Sequence, residues 1–129
     1  MKLLVDTHIL LWMTGVSWRL PAKARELIED MDNKIFFSTI SIWEIAIKAS
    51  LKRFTDFEVN PEKLRTNLLA NGYEELPLLG KHALAVMGLP HIHKDPFDRV
   101  LVAQSFSEGL SLITVDKTVA KYGGPIRLV

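Results

Sequence analysis

The sequence predicts an α/β fold in which a central, mostly parallel sheet is flanked by helices. Three observations predict it. Short apolar runs alternate with helix-length segments, no repeat or low-complexity stretch interrupts them, and acidic residues fall where strands end and helices begin.

The first strand is Lys2-Leu-Leu-Val5, a short apolar run that reads as buried and delivers Asp6-Thr7-His8 to the sheet's edge. Asp6 or Thr7 caps a short helix, Ile9 to Met13, which is apolar all round and ends at Gly15. Pro21 opens a second helix, Ala22 to Asp32. Its apolar residues Ala24, Leu27, Ile28 and Met31 recur at three and four, with Lys23, Arg25, Glu26, Glu29 and Asp30 on the wet side. Asn33 stops it, and Ile35-Phe-Phe37 is the second strand. Ser41-Ile-Trp-Glu44 matches a capping box and predicts a helix start there. That helix reaches about Lys52, with Ile42, Ile45, Ala46, Ala49 and Leu51 as its apolar side, and Phe54 to Val59 is a connector.

Asn60-Pro61 pairs a cap with a first-turn proline and opens a helix carrying Leu64, Leu68 and Leu69 to Asn71-Gly72. Tyr73 to Leu76 is a third strand, closed by Pro77, and Lys81 to Met87 is a short helix between Gly80 and Gly88. The window from His91 to Ala103 holds the clearest helix start in the chain. Pro96 suits the first helical position because its missing N–H would be unsatisfied there, which makes Asp95 the N-cap and puts Asp98 in the first turn. Val100, Leu101, Ala103 and Phe106 carry the helix to Glu108, and Gly109 ends it. Leu110 to Val115 is a strand that stops at Asp116. A brief helical segment, Lys117 to Lys121, a turn at Gly123-Gly124 and a last strand, Ile126 to Leu128, complete the chain.

Composition narrows the function. A length of 129 residues fits one domain, 1–129, and 48% hydrophobic with 24% charged residues is an ordinary globular balance. Sixteen basic against fifteen acidic residues leave a net charge of +1, so a nucleic acid would be held by local charge or by metal, not by a global field. The lack of cysteine removes disulfides, zinc–thiolate sites and thiol nucleophiles together. The opening residues are too few and too soon charged for a signal peptide, and no apolar run approaches a membrane span. A soluble, cytoplasmic protein is expected.

Four acids share an address. Asp6 and Asp116 follow strands, while Glu44 and Asp98 sit in the first turns of predicted helices, and in a doubly wound sheet those places lie along the carboxyl edge. Carboxylates gathered there repel and raise each other's pKa unless a cation sits among them. Mg2+ or Mn2+ suits an all-oxygen set and is commonly completed by substrate phosphate, which points to phosphodiester hydrolysis. Each residue also has a plainer reading. Asp6, Asp95 and Asp116 suit N-caps, Asp98 complements the helix dipole, and Glu44 is either the return arm of its capping box or an ion-pair partner of Lys48. Arg99 is a candidate phosphate contact or a partner of Asp95 or Glu108, and Lys48 is a second candidate phosphate contact. His8, His91 and His93 read as loop or satisfied core histidines, and Trp12 and Trp43 as core or subunit interface.

Four ordered stretches carry a family resemblance: Val5-Asp-Thr-His-Ile-Leu-Leu-Trp12, Ser41-Ile-Trp-Glu-Ile-Ala-Ile-Lys48, His93-Lys-Asp-Pro-Phe-Asp-Arg-Val-Leu-Val-Ala-Gln104 and Leu112-Ile-Thr-Val-Asp116. Together they resemble the successive motifs of PIN-domain ribonucleases, most closely VapC-type toxins of toxin–antitoxin pairs. The resemblance implies a three-layer PIN-like fold and a Mg2+- or Mn2+-dependent endoribonuclease that restrains translation and growth. It also implies a homodimer and a small VapB-like antitoxin whose tail enters the active-site groove. Carried over residue by residue, Asp6, Glu44, Asp98 and Asp116 match the family's acidic quartet. Asp95 also lies near the third acid, and Asp98 is preferred because it directly precedes the apolar helical run. Thr7 or Thr114 is expected to orient the fourth acid. Two rivals stand beside this reading: a catalytically inactive PIN-like protein-binding module, and a phospho-accepting receiver domain, whose adjacent acid pair after the first strand is missing here.

Overall fold

Alternation within the strands sorts the apolar residues onto two faces, and this sorting builds the molecule. In the computed structural model, which describes residues 1–15, 17–51 and 59–129, the strands are β1 (Lys2–Val5), β2 (Lys34–Ser38), β3 (Glu74–Leu76), β4 (Ser111–Thr114) and β5 (Ile126–Leu128). Leu3, Val5, Ile35, Phe37 and Ile113 face one way, and Leu4, Phe36 and Leu112 the other. The first face is covered by helices α1 (Thr7–Thr14), α2 (Ala22–Glu29), α3 (Thr39–Ser50) and α4 (Pro61–Ala70) through Ile9, Leu10, Ala24, Ile45, Leu64 and Leu68. The second is covered chiefly by α6 (Pro96–Glu108) and α7 (Lys117–Ala120) through Leu101, Val102 and Val119. The short α5 (Gly80–Ala85) packs beside α6. Each fully buried leucine, isoleucine or phenylalanine stabilises this arrangement by roughly 1.5–3 kcal/mol over its exposed state.

The sheet runs β3-β2-β1-β4-β5, and every neighbouring pair is parallel. From the central β1 the chain first builds outward to β2 and β3, then returns to add β4 and β5 on the other side. The order reverses between β1 and β4, and ligands of open α/β sheets bind beyond the carboxyl ends of the strands at such a point. Register sets Val5 opposite Ile113, so the next residues, Asp6 and Thr114, emerge side by side at that edge.

The helix start at Asp95-Pro96 and stop at Gly109 occur as the sequence predicts. Asp95 accepts from the Phe97 and Asp98 amides, and Gly109 takes the left-handed conformation, φ 65°, that a β-carbon disfavours. Other expectations need correction. α2 ends at Glu29, because Asp30 turns extended and its side chain accepts the Asp32 amide, and Met31 is then 95% exposed instead of completing the apolar stripe. α3 begins at Thr39 with Ser38 as cap, its hydroxyl accepting from the Ile40 amide, so Ser41 and Glu44 lie inside the helix and form no capping box. The earlier start rotates the inward face to Ile40, Ser41, Glu44 and Ile45, leaving Ala46 and Leu51 exposed. The helix expected over Lys81–Met87 is α5 followed by a 3-10 turn, Val86–Gly88. The expected helix end near Lys52 and the connector residues 54–58 lie outside the described residues. No helix among the described residues is long and apolar enough to cross a membrane.

Candidate active site

Asp6 occupies the step from β1 into α1. As N-cap of α1 it accepts the Ile9 amide on Oδ1 at 2.9 Å, while Thr114, at the end of β4, donates its hydroxyl to Oδ2. The cap role that the sequence allowed is therefore real, yet it does not account for the burial: Asp6 is only 6% exposed. That burial pushes its carboxyl above the ordinary value, outweighing the hydrogen bonds from Ile9, Thr114 and Val115 that pull it down.

Thr7 carries the site across to α3. Its Oγ1 lies 2.8 Å from Glu44 Oε1 and 2.9 Å from Ser41 Oγ, all three residues being buried. Glu44 reaches inward because α3 is capped by Ser38, three residues before the predicted cap, which places Glu44 in the second turn and frees its carboxylate from the backbone. Lys48, one turn on, sets Nζ 2.8 Å from Glu44 Oε2. The ion-pair reading of Lys48 is the one realised, in the favoured Glu-before-Lys order. Thr7 thus serves Glu44, while Thr114 serves the fourth acid: the Asp116 amide donates to Thr114 Oγ1 at 3.0 Å, so one hydroxyl ties the backbone of Asp116 to the carboxylate of Asp6. Asp116 itself caps α7 by accepting the Thr118 amide at 2.8 Å.

Asp98, in the first turn of α6, is pushed up to about 6. Desolvation by burial is the main cause, the Asp95 and Glu44 carboxylates add to it, and a hydrogen bond from His93 opposes it. This shift links α3 to α6 electrostatically. Asp95 and Asp98 are thereby separated: Asp95 is an exposed cap, whereas Asp98 is partly buried and senses Glu44.

Arg99 is not a partner of either acid proposed for it. Asp95 is engaged in capping and Glu108 pairs with Lys81 at 3.2 Å, while the Arg99 guanidinium is buried and donates to Pro90 O at 2.9 Å, Val86 O at 3.3 Å and the Tyr122 hydroxyl at 2.9 Å. The expectation that it contacts phosphate is corrected accordingly, since these acceptors already occupy it. The sequence reads His93 as a loop or satisfied core histidine. It is satisfied, but by the site: Nδ1 lies 2.7 Å from the Tyr122 hydroxyl and Nε2 lies 3.2 Å from Asp98 Oδ2. The one sequence signal for that contact was the five-residue interval from His93 to Asp98 across a proline-started turn.

Among the described residues no three His, Cys, Asp or Glu side chains form a ready-made metal cage. The donor set nevertheless fits a hard divalent cation, because Asp6, Glu44 and Asp98 are carboxylates drawn out of water and Asp98 is raised by its neighbours' charge. Mg2+ keeps several waters and is held through one or two carboxylates, so this fit requires no closed cage.

An all-parallel sheet with carboxylates at its switch point defines a class of α/β proteins whose chemistry sits at one strand edge. Within that class, a family model for the PIN domain matches residues 3–125, and the chain belongs to the PIN-domain family. Among solved structures it is similar to VapBC2 from Rickettsia felis bound to a DNA fragment from its promoter, at 15% identity and a TM-score of 0.71 over 100% of this chain and 98% of that one. It is also similar to DNA-bound VapBC from Salmonella typhimurium (18%, TM-score 0.66, 100% and 97%) and to VapBC-1 from nontypeable Haemophilus influenzae (17%, 0.64, 100% and 97%). At such identities the likeness establishes a shared fold. A search of curated protein sequences finds no match.

Proposed function

We propose that this chain is a Mg2+- or Mn2+-dependent endoribonuclease of the VapC toxin type, a single cytoplasmic domain that works as a homodimer and is restrained by a small VapB-like antitoxin. The observation that carries the reading is the burial of Asp6 and Glu44 at the carboxyl edge, with Asp98 close enough to feel the Glu44 charge and with Asp6 and Asp98 raised above ordinary carboxyl values. Family membership and the VapBC neighbours support it.

Asp6, Glu44 and Asp98 would hold the ion, with Asp116 beside them. Bound there, it would supply Lewis acidity, lowering the pKa of a water and shielding charge that develops on the phosphate. The chain's own residues prepare that site. Ile9 N–H and Thr114 fix both oxygens of Asp6, Thr7 and Lys48 fix those of Glu44, and Thr114 locks Asp116 to Asp6. Lys48, with 40% of its side chain exposed, would also meet an RNA phosphate.

The test is cleavage of a mixed structured RNA by purified, partner-free protein with Mg2+, with Mn2+ and with chelator, run beside Asp6→Asn. Metal-dependent cutting that the substitution removes is the expected result. A well-folded wild type that cuts under neither metal would shift the reading to a PIN-like protein-binding module.

A further inference from the structure

We propose that His93 is a positioning residue for the Asp98 carboxylate, and that Tyr122 and Arg99 fix the tautomer in which it acts. The proposal takes the role of Asp98 from the nuclease reading above; how Asp98 is held follows from hydrogen-bond geometry alone.

The relay is anchored at its buried end. A guanidinium can only donate, so at 2.9 Å from Arg99 Nη1 the Tyr122 oxygen accepts. The phenolic proton is then available for His93 Nδ1, 2.7 Å away, and in the proposed relay Tyr122 donates it there. With Nδ1 accepting, the neutral imidazole carries its proton on Nε2, which faces Asp98 Oδ2 at 3.2 Å and donates to it. Arg99 and Tyr122 are each 8% exposed, the His93 and Tyr122 rings pack edge to face with centroids 5.4 Å apart, and Arg99 also grips the backbone before α6 through Pro90 O. The imidazole is therefore clamped in orientation as well as in tautomer. Its one donor engages Oδ2, which leaves Oδ1 of Asp98 available for an ion. Carboxylates that bind metal are themselves held by such partners, and removing one costs roughly 10–100-fold in metal affinity or activity.

Two measurements test this. Nitrogen-15 NMR of the histidine rings in metal-free protein is expected to show His93 protonated at Nε2 in the wild type and a mixture of tautomers in Tyr122→Phe. A wild-type His93 carrying its proton on Nδ1 would overturn the proposal. Mn2+ affinity is expected to fall roughly 10–100-fold in His93→Leu, and to recover largely in His93→Gln, whose amide nitrogen reaches the place of Nε2 and donates. Equal affinities across these variants, with native near-UV circular dichroism, would overturn it too, whereas a purely structural role would lower the melting temperature of both variants without the rescue. A wild type that binds no Mn2+ would refute the nuclease reading, and the tautomer measurement would still decide whether the relay holds Asp98.

Discussion

The two ends of the sheet treat charge in opposite ways. At the amino ends of the strands, Lys34 pairs with Glu74 at 3.0 Å with both side chains about half exposed, and Glu29, Asp30 and Asp32 line a cavity of about 550 Å3 together with Asn71 and Tyr73. At the carboxyl ends, Asp6 and Glu44 are 6% exposed and Asp98 is raised to about 6. The first arrangement costs the fold little, since exposed charges keep their water. The second withdraws charge from water without full compensation, which no requirement for a helix cap explains. Asp95 is the internal control: it caps α6 from an exposed position three residues from Asp98. Where charge is buried against stability, function is the natural reason.

The comparison is broken most severely by removing a buried charge. Asp6→Asn is expected to lose cleavage down to the chelator background while melting at the wild-type temperature or above, because the amide carries no charge to desolvate. Glu74→Gln at the opposite end is expected to leave cleavage unchanged in the same assay. Next in size is Arg99→Met, which strips the Pro90, Val86 and Tyr122 acceptors of their buried donor. A loss of about 1.5–3 kcal/mol in chemical denaturation is expected.

The pH dependence sharpens the contrast further. Asp98 has a folded value of about 6 against an ordinary 3.8, so the folded protein holds this proton more tightly than the unfolded chain. Its contribution to stability is full below the unfolded value and is lost as pH rises through about 6. Metal-free Asp98→Asn should therefore gain on the wild type in urea denaturation as pH rises from 4 to 7, and added Mg2+ should reverse the gain; a difference that is flat with pH would contradict the assignment. The smallest effect is expected at the amino end, where Lys34→Met should cost roughly 0.2–1 kcal/mol and less at high salt.

Much of this was legible in the sequence for local reasons. Pro96 and Gly109 bracket α6, and the carboxyl-edge addresses of Asp6 and Asp116 follow from strands that are short and apolar. What was not legible depended on choices between equal local signals or on distant contacts. Ser38 and Ser41 are both good caps, and the end of β2 selects Ser38, whose hydroxyl also reaches Gln104 at 2.6 Å; that selection turns Glu44 inward. Arg99 looked available to phosphate because its acceptors, two backbone carbonyls and Tyr122, become neighbours only through folding. His93 and Tyr122 stand 29 positions apart, and no periodicity relates them.

The most direct measurement of the central claim is Mn2+ binding followed by electron paramagnetic resonance in the wild type, in Asp6→Asn and Asp98→Asn, and in Glu74→Gln. The account predicts that the wild type and Glu74→Gln bind alike, whereas both carboxyl-edge variants bind far more weakly with their folds intact. Equal binding by all four proteins would mean that the acids at the carboxyl edge do not hold the metal, and would contradict the account.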